Sequence, residues 1–226
     1  MYGKMSKRVV NMKVTIIYDN EVTEEGLEAD WGFSCLVEAY GKNILFDAGA
    51  NGSILLGNME KLGIDPEAVD EIFISHGHWD HIGGLSDFLS IKNTKVYVPV
   101  SCQEPADALE VVAVRGSIKI ADNIFSTGEL QGIEQSLIIE TGNGLAVIAG
   151  CSHPGVRNIL KAASGFGKPL ILIGGLHGFS EFNLLEELKF VCPTHCTQFK
   201  SEIQLKYPEK YISGGAGRII DLEKLV

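Results

Sequence analysis

The chain has 226 residues, a net charge of −10, 45% hydrophobic residues and 21% charged residues. This length suits one large domain or two small ones with a sizeable core, and the composition is globular. The acidic balance argues against a general nucleic-acid or anionic-membrane surface, and no 18-residue apolar run offers a membrane span.

Residues 1–12 are basic and lack the apolar stretch of a signal peptide, so they read as a flexible tail. Residues 13–226 then form a single domain. Five cysteines without a regular framework point to free thiols in a reducing cytoplasm. KVTIIY (13–18) reads as a first strand, followed by Asp19-Asn20 and an acidic loop over 21–31. FSCLVEAY and NILFDAG, joined by Gly41-Lys42, read as a hairpin that ends at Asp47. Helical spacing over 53–62 stops at Gly63. A helical turn over 66–70, a strand over 72–75, a helix opening at Leu85 and the strand KVYVPV (95–100) follow. Residues 101–123 are hard to read, with a helical turn at 105–109 and a strand in SIKIAD as the best assignments. QSLIIET and GLAVIAG form a hairpin through Gly142-Asn143-Gly144. Then come a helix over 156–163, the strand PLILIGG (169–175), a helix over 184–190 and a short strand ending at His195. A helix over 201–206, a short final strand opening at Tyr211-Ile212 and a glycine turn over 214–217 complete the chain. Because several strand pairs are hairpins, two facing sheets with outer helices fit better than a doubly wound sheet.

The densest chemistry is His76-Gly77-His78-Trp79-Asp80-His81, directly after an apolar strand. A tight loop there points His76 and His78 to one metal ion and Asp80 and His81 to a second, and such ligands suit zinc, iron or manganese. All six histidines fall in this loop or just after an apolar run. His153 and His195 are therefore candidate ligands; the alternative for His153 is a helix N-terminal residue with its ring in water. His177 is a candidate ligand, proton donor or substrate contact, or else a satisfied loop histidine. Asp47 is expected behind the ligands, accepting a ring N–H. Cys151 reads equally as a ligand thiolate or a small buried residue, and Cys196 is expected to face away from His195. Glu134 either offers a carboxylate to the metals or lies in a solvated turn. Asp19 and Asn20 either contact substrate or structure the rim, and Gly215 and Gly217 are candidates for contacting a phosphate.

HGHWDH, with FDAG upstream and isolated histidines downstream, resembles the metallo-β-lactamase fold family. WGFSCLVE, SHGHWDHIGGL, GCSHPGV, GGLHG and PTHCT look like its subfamily of 7,8-dihydropterin-6-yl-methyl-4-(β-D-ribofuranosyl)aminobenzene-5′-phosphate synthases. The resemblance implies an α+β, four-layer αβ/βα sandwich of two mixed sheets with a dinuclear site at one edge. It maps His76, His78, Asp80, His81 and His195 onto metal positions. Superfamily hydrolases place a histidine before a late hairpin and a bridging aspartate after it; here those positions hold Glu134-Gln135 and Cys151, and His153 is expected to supply the imidazole. Two divalent ions follow, zinc first and iron or manganese as alternatives. The expected function is hydrolysis of an ester or phosphoester in a phosphorylated small molecule, with Asp80 and His177 as catalytic residues. The alternatives are the synthase reaction, in which a pterin-methyl diphosphate loses diphosphate to a ribosylated aminobenzene, diiron redox chemistry, and a non-enzymatic metal or ligand sensor. No nucleic-acid or membrane partner is expected, and the protein is expected as a monomer or small homo-oligomer.

Overall fold

The computed structural model describes residues 12–225, so the tail assigned to 1–12 lies outside the described residues except for Met12. The first half supplies β1 (Lys13–Tyr18), β2 (Ser34–Ala39), β3 (Lys42–Phe46), α1 (Gly52–Lys61), β4 (Glu71–Phe73), α2 (Trp79–Ile82), α3 (Leu85–Ile91), β5 (Lys95–Pro99) and β6 (Glu110–Val114). The second half supplies β7 (Ile118–Ala121), β8 (Ile124–Ser126), β9 (Leu137–Glu140), β10 (Leu145–Ala149), α4 (Val156–Ala163), β11 (Pro169–Gly175), β12 (Phe190–Thr194), α5 (Lys200–Lys206), β13 (Ile219–Asp221) and α6 (Leu222–Leu225).

The strands form a seven-stranded sheet, β13-β1-β2-β3-β4-β5-β6, and a six-stranded sheet, β12-β11-β10-β9-β8-β7. Alternation of side chains sends Val14, Ile16, Phe46 and Phe73 of the first sheet and Ile139, Ile148, Ile171 and Ile173 of the second into one shared core. The opposite face of the first sheet, with Ile17, Leu45 and Ile72, is covered by Leu55 and Met59 of α1 and Phe88 and Leu89 of α3. The opposite face of the second, with Val147 and Leu172, is covered by Val156 and Ile159 of α4 and Ile203 of α5. Central strands such as LAVIA are buried along their whole length, because both of their faces are covered. The result is the expected α+β sandwich of two mixed sheets with helices outside.

Strand direction decides where the chemistry gathers. β1 and β3 both run antiparallel to β2, so they share a direction, and β4 is parallel to β3. β10, β11 and β12 are mutually parallel. Loops leaving the carboxyl ends of these strands carry Asp19, Asp47, the 76–81 turn, Cys151–His153, His177 and His195. In sheets of this kind ligands bind beyond the carboxyl ends of the strands.

Three segments differ from the sequence reading. Residues 105–109 contain only a turn, and β6 follows directly. The helix expected over 184–190 is a 3-10 segment, Phe182–Glu187, and Phe190 already belongs to β12. Tyr211 makes an isolated bridge to Val191, and the last strand is β13, paired with β1. No helix among the described residues is long and apolar enough to cross a membrane.

Candidate metal centre

The first sheet delivers a contiguous turn. β4 ends at Phe73, and Ser75, His76 and His81 are buried behind it. Asp47, just past β3, is fully buried and organises this turn. Its Oδ1 accepts the Ser75 backbone N–H at 2.7 Å, and its Oδ2 accepts the Ser75 hydroxyl at 2.7 Å and the Nδ1–H of His81 at 2.7 Å. With its own hydrogen directed at Asp47, the Ser75 Oγ accepts the Nδ1–H of His76 at 2.9 Å. Both rings are thereby fixed in the tautomer that leaves Nε2 free to accept, the arrangement used behind metal-binding histidines. The Nε2 of His76 lies 3.1 Å from the Nδ1 of His78, and the Nε2 of His81 lies 3.2 Å from the Cys151 Sγ. Burial, then the neighbouring imidazoles, push the pKa of His76 far below its ordinary value, and burial does the same at His81. Neutral imidazole is the form that binds a metal ion.

The second sheet delivers its residues singly. Gly150 permits the approach of the two halves, since a Cβ there would lie 2.1 Å from the Ser75 Oγ and 3.0 Å from His76 Nδ1. Cys151 is 3% exposed. The rings of His76 and His153 are 4.8 Å apart, those of His78 and His153 4.6 Å, and those of His81 and His195 5.1 Å. Asp80 joins the second pair, with its Oδ2 3.2 Å from His195 Nε2 and 3.9 Å from His81 Nε2. Burial opposes the charge of Asp80, yet the contacts with His195 and His81 hold its carboxyl below the usual carboxylate range. Burial pushes the pKa of His153 down to about 4.

Three donor groups result among the described residues: His76, Cys151 and His153; His81, Cys151 and His195; and Cys151, His177 and Cys196. Within each, the ligand atoms lie within 4.8 Å of one another. Cys151 is common to all three. Cys196 and His195 diverge to different groups but both reach Cys151. His177 is exposed and its ring is 5.0 Å from that of His153. It lines a cleft of about 350 Å³ with Ser152, His153, Leu176 and Ser180.

The donor set fits metal ions. Imidazole, thiol and carboxylate groups converge, and the buried Nε2 atoms of His153 and His195 have no hydrogen-bond partner. Such atoms are costly to bury without one. Burial also pushes Asp47 well above the usual carboxylate range against the pull of its two Ser75 hydrogen bonds. A cation held at His81 would favour the ionised carboxyl that these hydrogen bonds call for.

Several candidates have other tasks in the structure. Glu134, weighed as a ligand or a solvated turn, is neither. It is fully buried; its Oε1 accepts the backbone N–H groups of Gly150, Cys151 and Ser152 at 3.0–3.2 Å, and its Oε2 that of His153 at 2.8 Å. Burial pushes its pKa up to about 7, partly offset by these amides. Asp19, considered for substrate contact, is fully buried and accepts the His195 N–H at 3.1 Å and the Asn20 N–H at 2.6 Å. Asn20 accepts the His195 Nδ1–H at 2.9 Å and donates to the His195 carbonyl at 3.2 Å. These two residues structure the rim and orient His195, fixing the inward direction of its Nε2. Gly215 and Gly217, considered for phosphate, are buried against the 21–27 loop, and the Gly217 N–H is taken by the Ile16 carbonyl. The sequence reading assigned no role to Ser75 or Trp31. The signal for Ser75 is its place directly before His76; Trp31 donates its indole N–H to the Asp80 Oδ2 at 2.9 Å. Ser152, His177 and His195 have left-handed backbones, with φ of 60°, 48° and 41°, as does Asp47 at 55°.

The sequence model of the metallo-beta-lactamase superfamily matches residues 32–157, more than half of the chain, and the chain belongs to that superfamily. Among its relatives it is 27% identical to the 7,8-dihydropterin-6-methyl-4-(beta-D-ribofuranosyl)-aminobenzene-5'-phosphate synthase of Methanocaldococcus jannaschii, over 94% of this chain and 97% of that one. A solved structure, Tm1679, a metal-dependent hydrolase of the beta-lactamase superfamily, matches with a TM-score of 0.76 and 25% identity over 94% of this chain and 99% of its own. A diphosphatase from the PhnP family matches with a TM-score of 0.61 over 94% and 98%, at 16% identity, which is a likeness of fold alone.

Proposed function

We propose that this protein is a metal-dependent enzyme that hydrolyses an ester or phosphoester bond of a phosphorylated small molecule. The observation that carries the reading is the convergence on one buried thiol, Cys151, of two donor groups, each joining a histidine from the first sheet to one from the second. His76, His78 and His153 would hold one divalent ion, and Asp80, His81 and His195 a second, with Cys151 next to both; zinc suits this N, O and S set, with iron or manganese as alternatives. Bound there, such ions supply a Lewis acid and water of lowered pKa.

The chain's own residues do the rest. The cleft between 152–156 and 176–181 admits the substrate beside His153 and His177. The Asp80 carboxylate, held ionised, accepts a proton from the attacking water. His177, at the open side of the cleft, gives a ring proton to the departing oxygen as the ester bond breaks. Asp47, Asn20 and Glu134 hold the donors still.

A second reading is favoured by the likeness to the M. jannaschii synthase over nearly the whole of both chains. In it, the same site joins a pterin-methyl diphosphate to an aminobenzene ribofuranosyl phosphate, with diphosphate leaving as the new bond forms. Metal analysis of protein purified without added metal, with a panel of phosphoesters and the pterin and aminobenzene pair, separates the two. Turnover of phosphoesters alone supports hydrolysis, and turnover of the pair alone replaces it with the transferase. Metal-free protein that stays empty when offered Zn²⁺, Fe²⁺ or Mn²⁺ removes both.

A further inference from the structure

Trp31 lies at the end of the acidic loop between β1 and β2, 49% exposed, where burial alone gives no reason for an indole. Its edge is engaged on two sides. The Nε1–H donates to Asp80 Oδ2 at 2.9 Å, and the ring meets that of His195 edge-on, with centroids 5.0 Å apart. The backbone on either side of Gly32 is shaped to bring this about. Gly32 has a φ of +149°, and a Cβ there would lie 2.6 Å from the Asp80 carbonyl oxygen and 3.0 Å from the Ala50 nitrogen. Phe33 donates its N–H to that same carbonyl at 3.3 Å. Residues 31–33 thus grip Asp80 twice, by its main chain and by its carboxylate. The loop is itself pinned, with Asn20 accepting the Gly32 N–H at 3.3 Å and Tyr18 donating to Asp30 at 2.5 Å.

We propose that Trp31 is a positioning residue for the metal centre: its indole N–H sets the Asp80 carboxylate toward His81 and His195 and so tunes cation binding at that position. A short acidic side chain on a four-residue helix has rotamers that face solvent as well as the site. A rigid neutral donor selects one of them without adding a competing charge. Residues that hydrogen-bond to metal ligands in this manner typically change metal affinity by ~10–100-fold when removed. The inference rests on the metal reading above and adds a residue to it.

The test is Zn²⁺ binding by the full chain, measured by competition with a chromophoric chelator. Trp31→Phe keeps a ring against His195 and deletes the N–H; its Zn²⁺ affinity falls ~10–100-fold while its metal-free thermal midpoint stays close to that of the parent. Trp79→Phe, a change at an exposed indole on the same turn, leaves the affinity unchanged. In that background Trp31 is the sole tryptophan, because the chain has two, and Co²⁺ loading quenches its emission. If Trp31→Phe does not fold, β-(3-benzothienyl)alanine at position 31 of the Trp79→Phe protein deletes the N–H without changing shape, and the same loss of affinity is expected. Equal Zn²⁺ affinity with and without the N–H overturns the inference and leaves the metal centre standing. A parent protein that binds no Zn²⁺ removes both.

Discussion

The two sheets reach the same edge by opposite means. The first contributes four candidate ligands within six residues, and one carboxylate, Asp47, orients two of their rings through side-chain hydrogen bonds. The second contributes Cys151, His153, His177 and His195 from three separate loops. There the buried carboxylates hold main chain: Glu134 takes four consecutive amides from 150 to 153, and Asp19 takes that of His195. A dense motif on a short helical turn already has its backbone in place and needs its rings aimed. Solitary donors on irregular loops need the loops themselves fixed, and an anion surrounded by N–H groups does that at full burial.

Changes on the two sides should therefore fail differently. The largest effect is expected at the open side of the second half. His177→Ala should lower kcat by ~10²–10⁴-fold with metal content intact, as read by steady-state kinetics beside elemental analysis; unchanged turnover would take His177 out of the proton transfer. Next is Glu134→Ala, which strands four buried amides. At ~1–3 kcal/mol for each of the four unmet groups, urea unfolding should show a loss of at least ~4 kcal/mol. Glu134→Gln should lose less, because its amide oxygen still accepts. If the alanine variant unfolds like the parent, the loop is held by something else.

On the first side, Asp47→Asn should leave the fold near its parental stability and weaken metal binding by ~10–100-fold, measured by chelator competition. A variant that unfolds instead would make the two halves alike. The smallest effect concerns pH in the metal-free protein. Burial puts the His153 pKa at about 4, below its ordinary 6.5. Between these values the unfolded chain takes up a proton that the folded chain refuses, so this residue's contribution is intact above pH 6.5 and is lost as pH falls toward 4. Glu134, pushed up to about 7, works in the opposite sense between 4.5 and 7. Urea midpoints of the parent and His153→Gln across pH 4–7.5 isolate the first trend: the parent should lose more on acidification, and parallel curves would contradict it.

Much of this was readable from sequence where one short stretch carries the whole signal. The strands 13–18 and 169–175 and the helix 156–163 have the bounds that their patterns suggest. Asp47 lies at the end of β3, and its Oδ2 is 2.7 Å from the His81 Nδ1. Elsewhere the signal is not local. EVVAV in β6 is only partly buried at the sheet edge, and one glutamate followed by four apolar residues shows no alternation. β8 is three residues long. LLEELKF has helical spacing, but only a 3-10 segment forms before the chain turns into β12 beside β11. Glu134 looks like a turn residue in one dimension; the amides that claim it lie 16 to 19 positions away. Asp19 finds His195 across 176 positions. No spacing rule reports which acid meets cations and which meets peptide groups.

The left-handed residues on the rim have a consequence for design. Of the seven non-glycine residues with positive φ among the described residues, Asp47, Ser152, His177 and His195 belong to this edge. Such conformations cost of order 1–3 kcal/mol each, and glycine would relieve them. Laboratory selection for heat resistance alone should therefore drift toward glycine at positions such as 152, producing a sturdier but duller scaffold.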